Sequence, residues 1–347
     1  SCRERGDFTK AEQTARDLVL GQPKDQPQDP TLTALLLRVL LAQAASAAEQ
    51  GDSAQERATD EKTLRLLRQA RADFPSEIAF PRAEWELAMR RRDHAQALAV
   101  CQEIETIAPR ASLAPMLRAQ VFAAQGRVPE VAQSYAEAAE REPRRLDVKL
   151  LLAQTQLGLG KTDDCLRLAS AVLEADKDQP GAIILKARAL IAFEGPATQV
   201  NARRDEAAKL LRDAIKAEPK FREAYQTLAD LEQRRGRRAE AVKVLDANLQ
   251  ANPDDATGLA LLAQALSAPR DGKAAPAEDI QRVKALAEEH GGKDTQGQKC
   301  LALAIGLQRA QRLDLAIPWA KKAVGLIQSP AVHQTYGDAL LARAEQL

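Results

Sequence analysis

Apolar side chains recur at helical spacing along much of this chain, and the pattern is clearest between Phe221 and Pro253. Small and apolar residues lie three and four positions apart on either side of Gly236, at Tyr225, Leu228, Ala229, Ala241 and Leu245. Residues at these spacings share one face of an α-helix. The segment therefore predicts two short amphipathic helices joined at Gly236, with Pro253 just past the second, where proline is favoured.

Regularly spaced prolines indicate that this unit repeats along the rest of the chain. Pro75, Pro109 and Pro143 are each 34 residues apart, and so are Pro219 and Pro253. The intervening segments are rich in alanine, leucine, glutamine, arginine and glutamate, while aromatic residues make up only 3% of the sequence. Small and unbranched side chains suit closely packed helices, so the pattern predicts an all-α protein.

The spacing within residues 221–253 resembles the tetratricopeptide repeat (TPR) family. The TPR pattern is W-x2-L-G-x2-Y, then A-x3-F and a late proline, over 34 residues. Two positions depart from it, since Glu232 stands where an aromatic residue is usual and Trp85 where a small one is usual. The resemblance covers nearly the whole chain, and it implies a right-handed TPR solenoid of about eight complete helix-turn-helix repeats plus a partial repeat at each end.

Indexed from this unit, the chain is predicted to form a single array over residues 1–347. Its repeats fall at 24–75, 76–109, 110–143, 144–177, 178–219, 220–253, 254–292 and 293–328, with partial repeats at 1–23 and 329–347. The opening partial repeat is expected to turn at Gly6, after only the end of a first helix. Open solenoid ends expose apolar surface. We therefore expect an internal piece of a longer protein, whose ends could self-associate.

Three repeats are longer than 34 residues. The extra residues are predicted to form loops at the turn between the two helices, at residues 47–59, 194–202 and 268–275. Insertions on one edge of a solenoid can mark a binding face. Alternatively, an exposed turn grows at little cost, because loop-closure entropy rises slowly with length.

Charge and composition narrow the classes of partner. The 347 residues include 50 basic and 49 acidic side chains, a formal charge of +1. A general attraction to nucleic acid or membrane is therefore not expected. We expect no apolar run as long as the ~20 residues of a membrane helix, so no membrane span is predicted. The compartment stays open between cytoplasm, which is favoured, and periplasm.

Candidate chemistry is sparse. The sequence Gly158-Leu159-Gly160-Lys161-Thr162 lacks the first glycine of a phosphate-binding loop, since Thr155 stands there, and no strand is predicted before it. The three histidines are far apart, and the cysteines are scattered at positions that pack in the repeat frame. We expect no enzyme, metal site, cofactor or small-molecule substrate.

Exposed positions of the first helices are predicted to line a concave groove for a protein or peptide partner. They are Arg82, Glu86, Met116, Gln120, Leu150, Gln154, Ile184, Arg188, Gln226, Asp230, Ala260 and Gln264. The middle repeats place an apolar residue beside a polar one, which suits an amphipathic helix or an extended peptide. The lysine and asparagine set with which some TPR proteins hold a C-terminal carboxylate is missing.

Basic residues cluster at the turns between helices and are predicted to share one edge of the array. They are Arg90, Arg91, Arg92, Arg127, Lys161, Arg203, Arg204, Arg234, Arg235, Arg237, Arg238, Arg309 and Arg312. This edge could bind an anionic surface. Alternatively, cations simply favour helix C-termini, where the macrodipole contributes ~0.3–1 kcal/mol each.

The leading hypothesis is a non-catalytic scaffold whose rigid stacked helices present the groove to a partner. One alternative is a regulatory or targeting segment of a larger enzyme or export protein. Another is an architectural piece whose basic edge contacts an anionic surface.

Overall fold

The protein is a series of antiparallel helix pairs. The computed structural model describes residues 2–20, 29–269 and 273–345. Within these ranges the regular elements are helices and no β-strand forms, which confirms the all-α prediction. The chain divides into two compact units, residues 1–160 and residues 161–347. Ser1, Pro23 and the middle of the third predicted insertion lie outside the described residues.

The first unit contains one helix followed by three helix pairs and a further helix. These are α1 (Cys2–Leu20), α2 (Pro30–Glu49), α3 (Ser53–Asp73), α4 (Ala79–Arg90), α5 (His94–Ile107), α6 (Leu113–Ala124), α7 (Val128–Arg141) and α8 (Leu146–Gly158). Each helix packs on the next in sequence, and α2 also contacts α4. The first helices of these two neighbouring pairs thus lie side by side.

The second unit continues with the same arrangement. Its helices are α9 (Thr162–Ala175), α10 (Pro180–Ala192), α11 (Ala197–Ala217), α12 (Arg222–Arg234), α13 (Arg238–Ala251), α14 (Ala256–Ser267), α15 (Ala277–Leu286), α16 (Gln298–Arg309), α17 (Leu313–Leu326) and α18 (Pro330–Glu345). A π-helical turn, Ala287–Gly291, follows α15. Helix α14 packs closely on α16 as well as on its neighbours in sequence.

Several local predictions are wrong. Helix α1 runs through Gly6 without a turn, because glycine inside a helix costs only roughly 0.5–1 kcal/mol relative to alanine. The extra residues 47–59 lengthen α2 and α3 instead of forming a loop, and only residues 50–52 connect the two helices. Residues 194–202 are likewise partly helical, since α11 begins at Ala197. At α3 this outcome follows from Asp52, whose carboxylate accepts a hydrogen bond from the N–H of Gln55 and caps the helix.

Small side chains line the seams between helices. In the first unit Ala97, Ala114 and Ala119 are fully buried, and in the second unit Ala187 and Ala207 are. Leucine and isoleucine fill the space around these seams in separate clusters of each unit. Because alanine adds little volume, the helix axes can approach closely while larger neighbours exclude water.

Turns between paired helices require a left-handed residue. Gly236 takes this conformation at φ +72°, as expected for the residue that ends a helix. Arg92 occupies the equivalent turn between α4 and α5 at φ +58°, without the freedom of glycine. A left-handed conformation costs a non-glycine residue roughly 1–2 kcal/mol. The packing of α4 on α5 therefore holds Arg92 in a backbone conformation that is unfavourable for arginine.

Helix α2 is long and apolar enough to cross a membrane by length and composition. The expectation that no apolar run approaches this length is therefore wrong. Buried core helices pass the same test, and Leu36, Leu37, Leu40 and Leu41 of α2 are buried among α1, α3 and α4. The apolar character of α2 is thus used for packing within the first unit.

The cysteines whose side chains are described pack as small apolar groups. Cys101, Cys165 and Cys300 are buried and free, as their positions in the repeat predict. Burial raises the pKa of each of these thiols to about 11. The thiolate is the reactive form, so these cysteines are inert at neutral pH.

Close packing of α16 on α14 predicts a position that only glycine can occupy. A Cβ atom added at Gly306 would lie 2.2 Å from the carbonyl oxygen of Ala260, which is backbone and cannot turn away. We expect Gly306→Ala to lower the free energy of unfolding by roughly 1–3 kcal/mol, as overpacking does. Chemical denaturation followed by circular dichroism would measure this change.

Gly337, inside α18, provides the matched control. A Cβ atom there would meet no heavy atom within 4 Å, so Gly337→Ala should leave stability unchanged or raise it by roughly 0.5–1 kcal/mol. An equal loss of stability in both variants would show that the approach of Gly306 to Ala260 is not what limits packing.

Candidate functional site

An open groove lies between the first helices of two neighbouring pairs in the first unit. It has a volume of about 460 Å³, and we call it the α2–α4 groove. Its lining residues come from one face of each helix: Ala34, Arg38 and Leu41 of α2, and Ala79, Arg82, Ala83 and Glu86 of α4. The three alanines and the leucine form an apolar floor, while the three charged side chains rise at its rim.

The charges of the α2–α4 groove are only partly compensated. Arg82 and Glu86 lie one helical turn apart, with 3.5 Å between Nε and Oε1; Arg82 is exposed and Glu86 is half-buried. Such a partly exposed pair contributes little to stability and can exchange partners readily. Arg38 is exposed and has no ion pair with any residue that the structure describes. The rim can therefore offer a guanidinium to an incoming group without breaking a buried contact.

The remaining predicted groove residues of the first unit are accessible to differing degrees. Gln120 and Gln154 are exposed, and Leu150 is half-buried. Met116 is half-buried, with its Sδ 3.2 Å from the Nη1 donor of Arg145. Arg145 also donates to the Oγ of Ser112 at 2.9 Å. These contacts hold the side chain of Met116 beside Arg145 at the start of α8, so it presents less apolar surface than its position in the repeat predicts.

In the second unit two predicted groove residues are buried. Ile184 is only 3% exposed, because it packs into the cluster formed by α10, α11 and α12. Ala260 is 9% exposed, because the close approach of Gly306 brings α16 over it. The prediction that these two positions face a partner is wrong.

The polar groove candidates of the second unit are mostly engaged within the protein. Gln226 donates from Nε2 to Asp255 at 2.9 Å, and Asp230 accepts from Arg234 at 2.7 Å. Gln264 is half-buried, whereas Arg188 and Asp230 are exposed. Gln226 thus contacts the residue that precedes α14, and Asp230 pairs within its own helix.

Acidic side chains neutralise most of the predicted basic edge. The pairs are Arg90 with Asp60, Arg127 with Glu130, Arg203 with Asp163, Arg234 with Asp230, Arg235 with Asp205 and Glu232, Arg237 with Glu232, Arg238 with Asp279, and Arg312 with Asp314. Arg204 is half-buried, whereas Arg91, Arg92, Lys161 and Arg309 are exposed and have no ion pair among the described residues. The edge thus carries few uncompensated positive charges.

The unusual Glu232 explains part of this pairing. Its side chain is only 1% exposed and stands where the repeat pattern has an aromatic residue. The guanidinium of Arg212 donates to its Oε1 at 3.0 Å, and Arg235 and Arg237 lie within 4 Å of the carboxylate. A buried carboxylate needs such partners, because desolvation of an unpaired charge is costly. Arg235 and Arg237 of this turn therefore help to stabilise a buried carboxylate.

The run Arg90-Arg91-Arg92 contains two different environments. Arg90 is mostly buried, contacts Asp60, and donates from Nη1 to the carbonyl oxygen of Leu41 at 3.2 Å. Burial lowers the pKa of Arg90, an effect that the charge of Glu56 opposes. Arg91 and Arg92 are both exposed. Only the structure shows which of three consecutive arginines stabilises the fold.

Sequence reasoning missed the α2 side of the groove. Ala34, Arg38 and Leu41 were not predicted to line it, because the extra residues 47–59 separate α2 from Pro75, which closes its predicted repeat. The N-cap Asp29 supplies the missing signal. It accepts a hydrogen bond from the N–H of Thr31 at 2.8 Å and marks the start of the helix.

The geometry defines a class of helical-hairpin repeat protein with an open groove between first helices. Within the described ranges no group of three histidine, cysteine, aspartate or glutamate side chains could hold a metal ion. A family model of the tetratricopeptide repeat matches residues 122–189 and 201–265. Over these residues the chain is similar to the tetratricopeptide repeat family.

The chain is similar to several solved structures at low sequence identity. Yeast Tom70 superposes with a TM-score of 0.52 and 16% identity, covering 99% of this chain and 60% of its own. A TPR protein of Parabacteroides merdae gives a TM-score of 0.49 and 12% identity over 88% of this chain and 98% of its own. A thermophilic TPR protein of Thermus thermophilus gives a TM-score of 0.44 and 17% identity, over 67% of this chain and 100% of its own. Among curated proteins no sequence matches the chain significantly.

Because Arg90 is paired with Asp60 and Arg91 has no ion pair among the described residues, we expect the two arginines to contribute differently to stability. We expect Arg90→Ala to lower the free energy of unfolding by about 3 kcal/mol, because it leaves the buried carboxylate of Asp60 without its partner. Arg91→Ala should change it by less than about 0.5 kcal/mol, as exposed substitutions do. Urea denaturation of both variants would measure the difference.

A double variant separates the ion pair from simple packing. Arg90→Met combined with Asp60→Leu removes both charges together and should recover much of the loss, since no buried charge is left unpaired. Equal destabilisation by Arg90→Ala and Arg91→Ala would contradict the assignment.

Proposed function

We propose that this chain is a scaffold that binds a peptide segment of a partner protein in the α2–α4 groove. The TPR fold supports an interaction scaffold in general, because stacked helix pairs present preformed surfaces. The observation that favours this particular surface is the open groove itself. Its apolar floor is accessible between two helices that already contact one another.

The shape of the groove suits a side chain flanked by polar contacts. Leu41 and Ala83 are buried at its base, whereas Ala34 and Ala79 are half-buried and leave room above them. An aliphatic side chain of the partner would remove this surface from water, at roughly 25 cal/mol per Å² of apolar area. Arg38 would then pair with an acidic or carbonyl group of the same segment.

The groove is preformed, which favours binding. Its floor residues Leu41 and Ala83 belong to the hydrophobic core that joins α2, α3 and α4, which fixes the two helices in place. Little backbone of the receptor would have to be ordered on binding, so less of the interaction energy is lost to conformational entropy. The partner peptide would bear most of that cost.

Peptide selection would test this proposal. Short random peptides displayed on phage would be selected on the immobilised full chain, and enriched sequences would be synthesised with a fluorescent label. We expect Arg38→Glu combined with Ala79→Trp to raise the Kd of these peptides about tenfold or more, because one change reverses the rim charge and the other fills the groove.

Arg110→Glu serves as the control. Arg110 is exposed in the same unit, does not line the groove and has no ion pair among the described residues, so its reversal should change the Kd less than about twofold. Helical content of each variant would be verified by circular dichroism. Selected peptides that bind the groove variant as tightly as the native chain would refute the proposal.

A further inference from the structure

We propose that the first unit has a second docking surface, a cleft beside α3 and α4 that binds an acidic amphipathic peptide segment. The cleft has a volume of about 530 Å³ and lies between α3, α4 and the start of α5. We call it the α3–α5 cleft. It is distinct from the α2–α4 groove, and its occupant does not depend on the function proposed for that groove.

Helix α4 contributes opposite faces to the two surfaces. Arg82 lines the groove and Arg91 lines the cleft. Nine residues separate them, which is two and a half helical turns, so their side chains leave opposite sides of the helix axis. A ligand in one site therefore does not share contacts with a ligand in the other.

The floor of the α3–α5 cleft is aliphatic. Leu64 is half-buried, and Leu67 and Leu87 are buried with their edges facing the cleft. They belong to the core that joins α2, α3 and α4, so the floor is fixed by packing. A leucine or isoleucine of a partner could cover it without rearranging the helices.

Two arginines at the rim have no acidic partner. Arg68 of α3 and Arg91 at the end of α4 are exposed, and neither makes an ion pair with any described residue. The third arginine of the lining, Arg71, is held by Glu84 and Glu103.

The acids of the cleft are already engaged. Glu84 contacts Arg71 and also accepts from the Nε2 of Gln96 at 2.7 Å. Asp93 accepts a hydrogen bond from the N–H of Gln96 at 3.0 Å and caps α5. The lining carries three arginines against two carboxylates, so its net charge is positive. Charge complementarity selects a partner segment that presents glutamate or aspartate beside aliphatic side chains.

A defined peptide pair can test the site. The probe is a fluorescein-labelled peptide of leucine, alanine and glutamate with leucines at helical spacing, and its counterpart carries lysine in place of every glutamate. We expect the acidic peptide to bind the full chain at least about tenfold more tightly than the lysine peptide. The preference should weaken as salt is raised, because the rim is exposed.

Charge reversal supplies the decisive comparison. Arg68→Glu with Arg91→Glu should raise the Kd of the acidic peptide about tenfold or more and should improve binding of the lysine peptide. The matched control is Arg110→Glu with Arg144→Glu, which changes the net charge equally at exposed positions of the same unit outside the cleft. We expect the control to alter either Kd less than about twofold.

The outcomes separate this site from general electrostatics and from the groove. Equal weakening by both double variants would overturn the proposal, and so would unchanged binding to Arg68→Glu with Arg91→Glu. The neutral variant Arg68→Gln with Arg91→Gln repeats the test if the reversed variant folds poorly. Arg38→Glu with Ala79→Trp should leave the acidic peptide bound, whether or not the groove binds peptides of its own.

Discussion

Each helix of this chain packs against its neighbours through alanine and leucine. This packing determines which surfaces stay open and which side chains are buried. A single helix pair cannot bury its apolar face alone, so neighbouring pairs must cover it. Alanine at the seams lets the axes approach, and Gly306 shows the limit of that approach against Ala260. Where two first helices come this close, no groove remains between them. Where they stand farther apart, as α2 and α4 do, an open groove results.

Ion pairs connect the packed helices and involve many of the chain's arginines. Arg118 and Arg141 bridge Glu105 and Glu137, which lie on α5 and α7 on either side of α6. The hydrogen bond from Arg141, helped by the charge of Arg118, lowers the pKa of Glu105. The side chains are partly exposed, so this network specifies which helices meet more than it raises stability. The long arginine stems also cover apolar surface near the seams.

The repeat architecture could be predicted from the sequence, because 34-residue proline spacing and helical periodicity are local signals. The accessibility of individual groove residues could not. Leu150 and Ile184 hold equivalent positions in their repeats, yet Leu150 is half-buried and Ile184 is buried. The difference depends on how closely the next pair packs, which is a long-range property. For the same reason three consecutive arginines gave no indication that only Arg90 would be largely buried.

Extra residues in this repeat change the helices more than the loops. The residues added between Pro30 and Asp73 lengthen α2 and α3, giving helices of 20 and 21 residues where α4 has 12. Leu41 of α2 supplies Arg90 with a carbonyl oxygen, and α3 supplies it with Asp60. The same two helices line the surfaces that flank α4, with α2 in the groove and α3 in the cleft. The extra residues 47–59 are not among those that line either surface, so the surfaces flanking α4 depend on the parts of α2 and α3 that pack on it and not on the insertion.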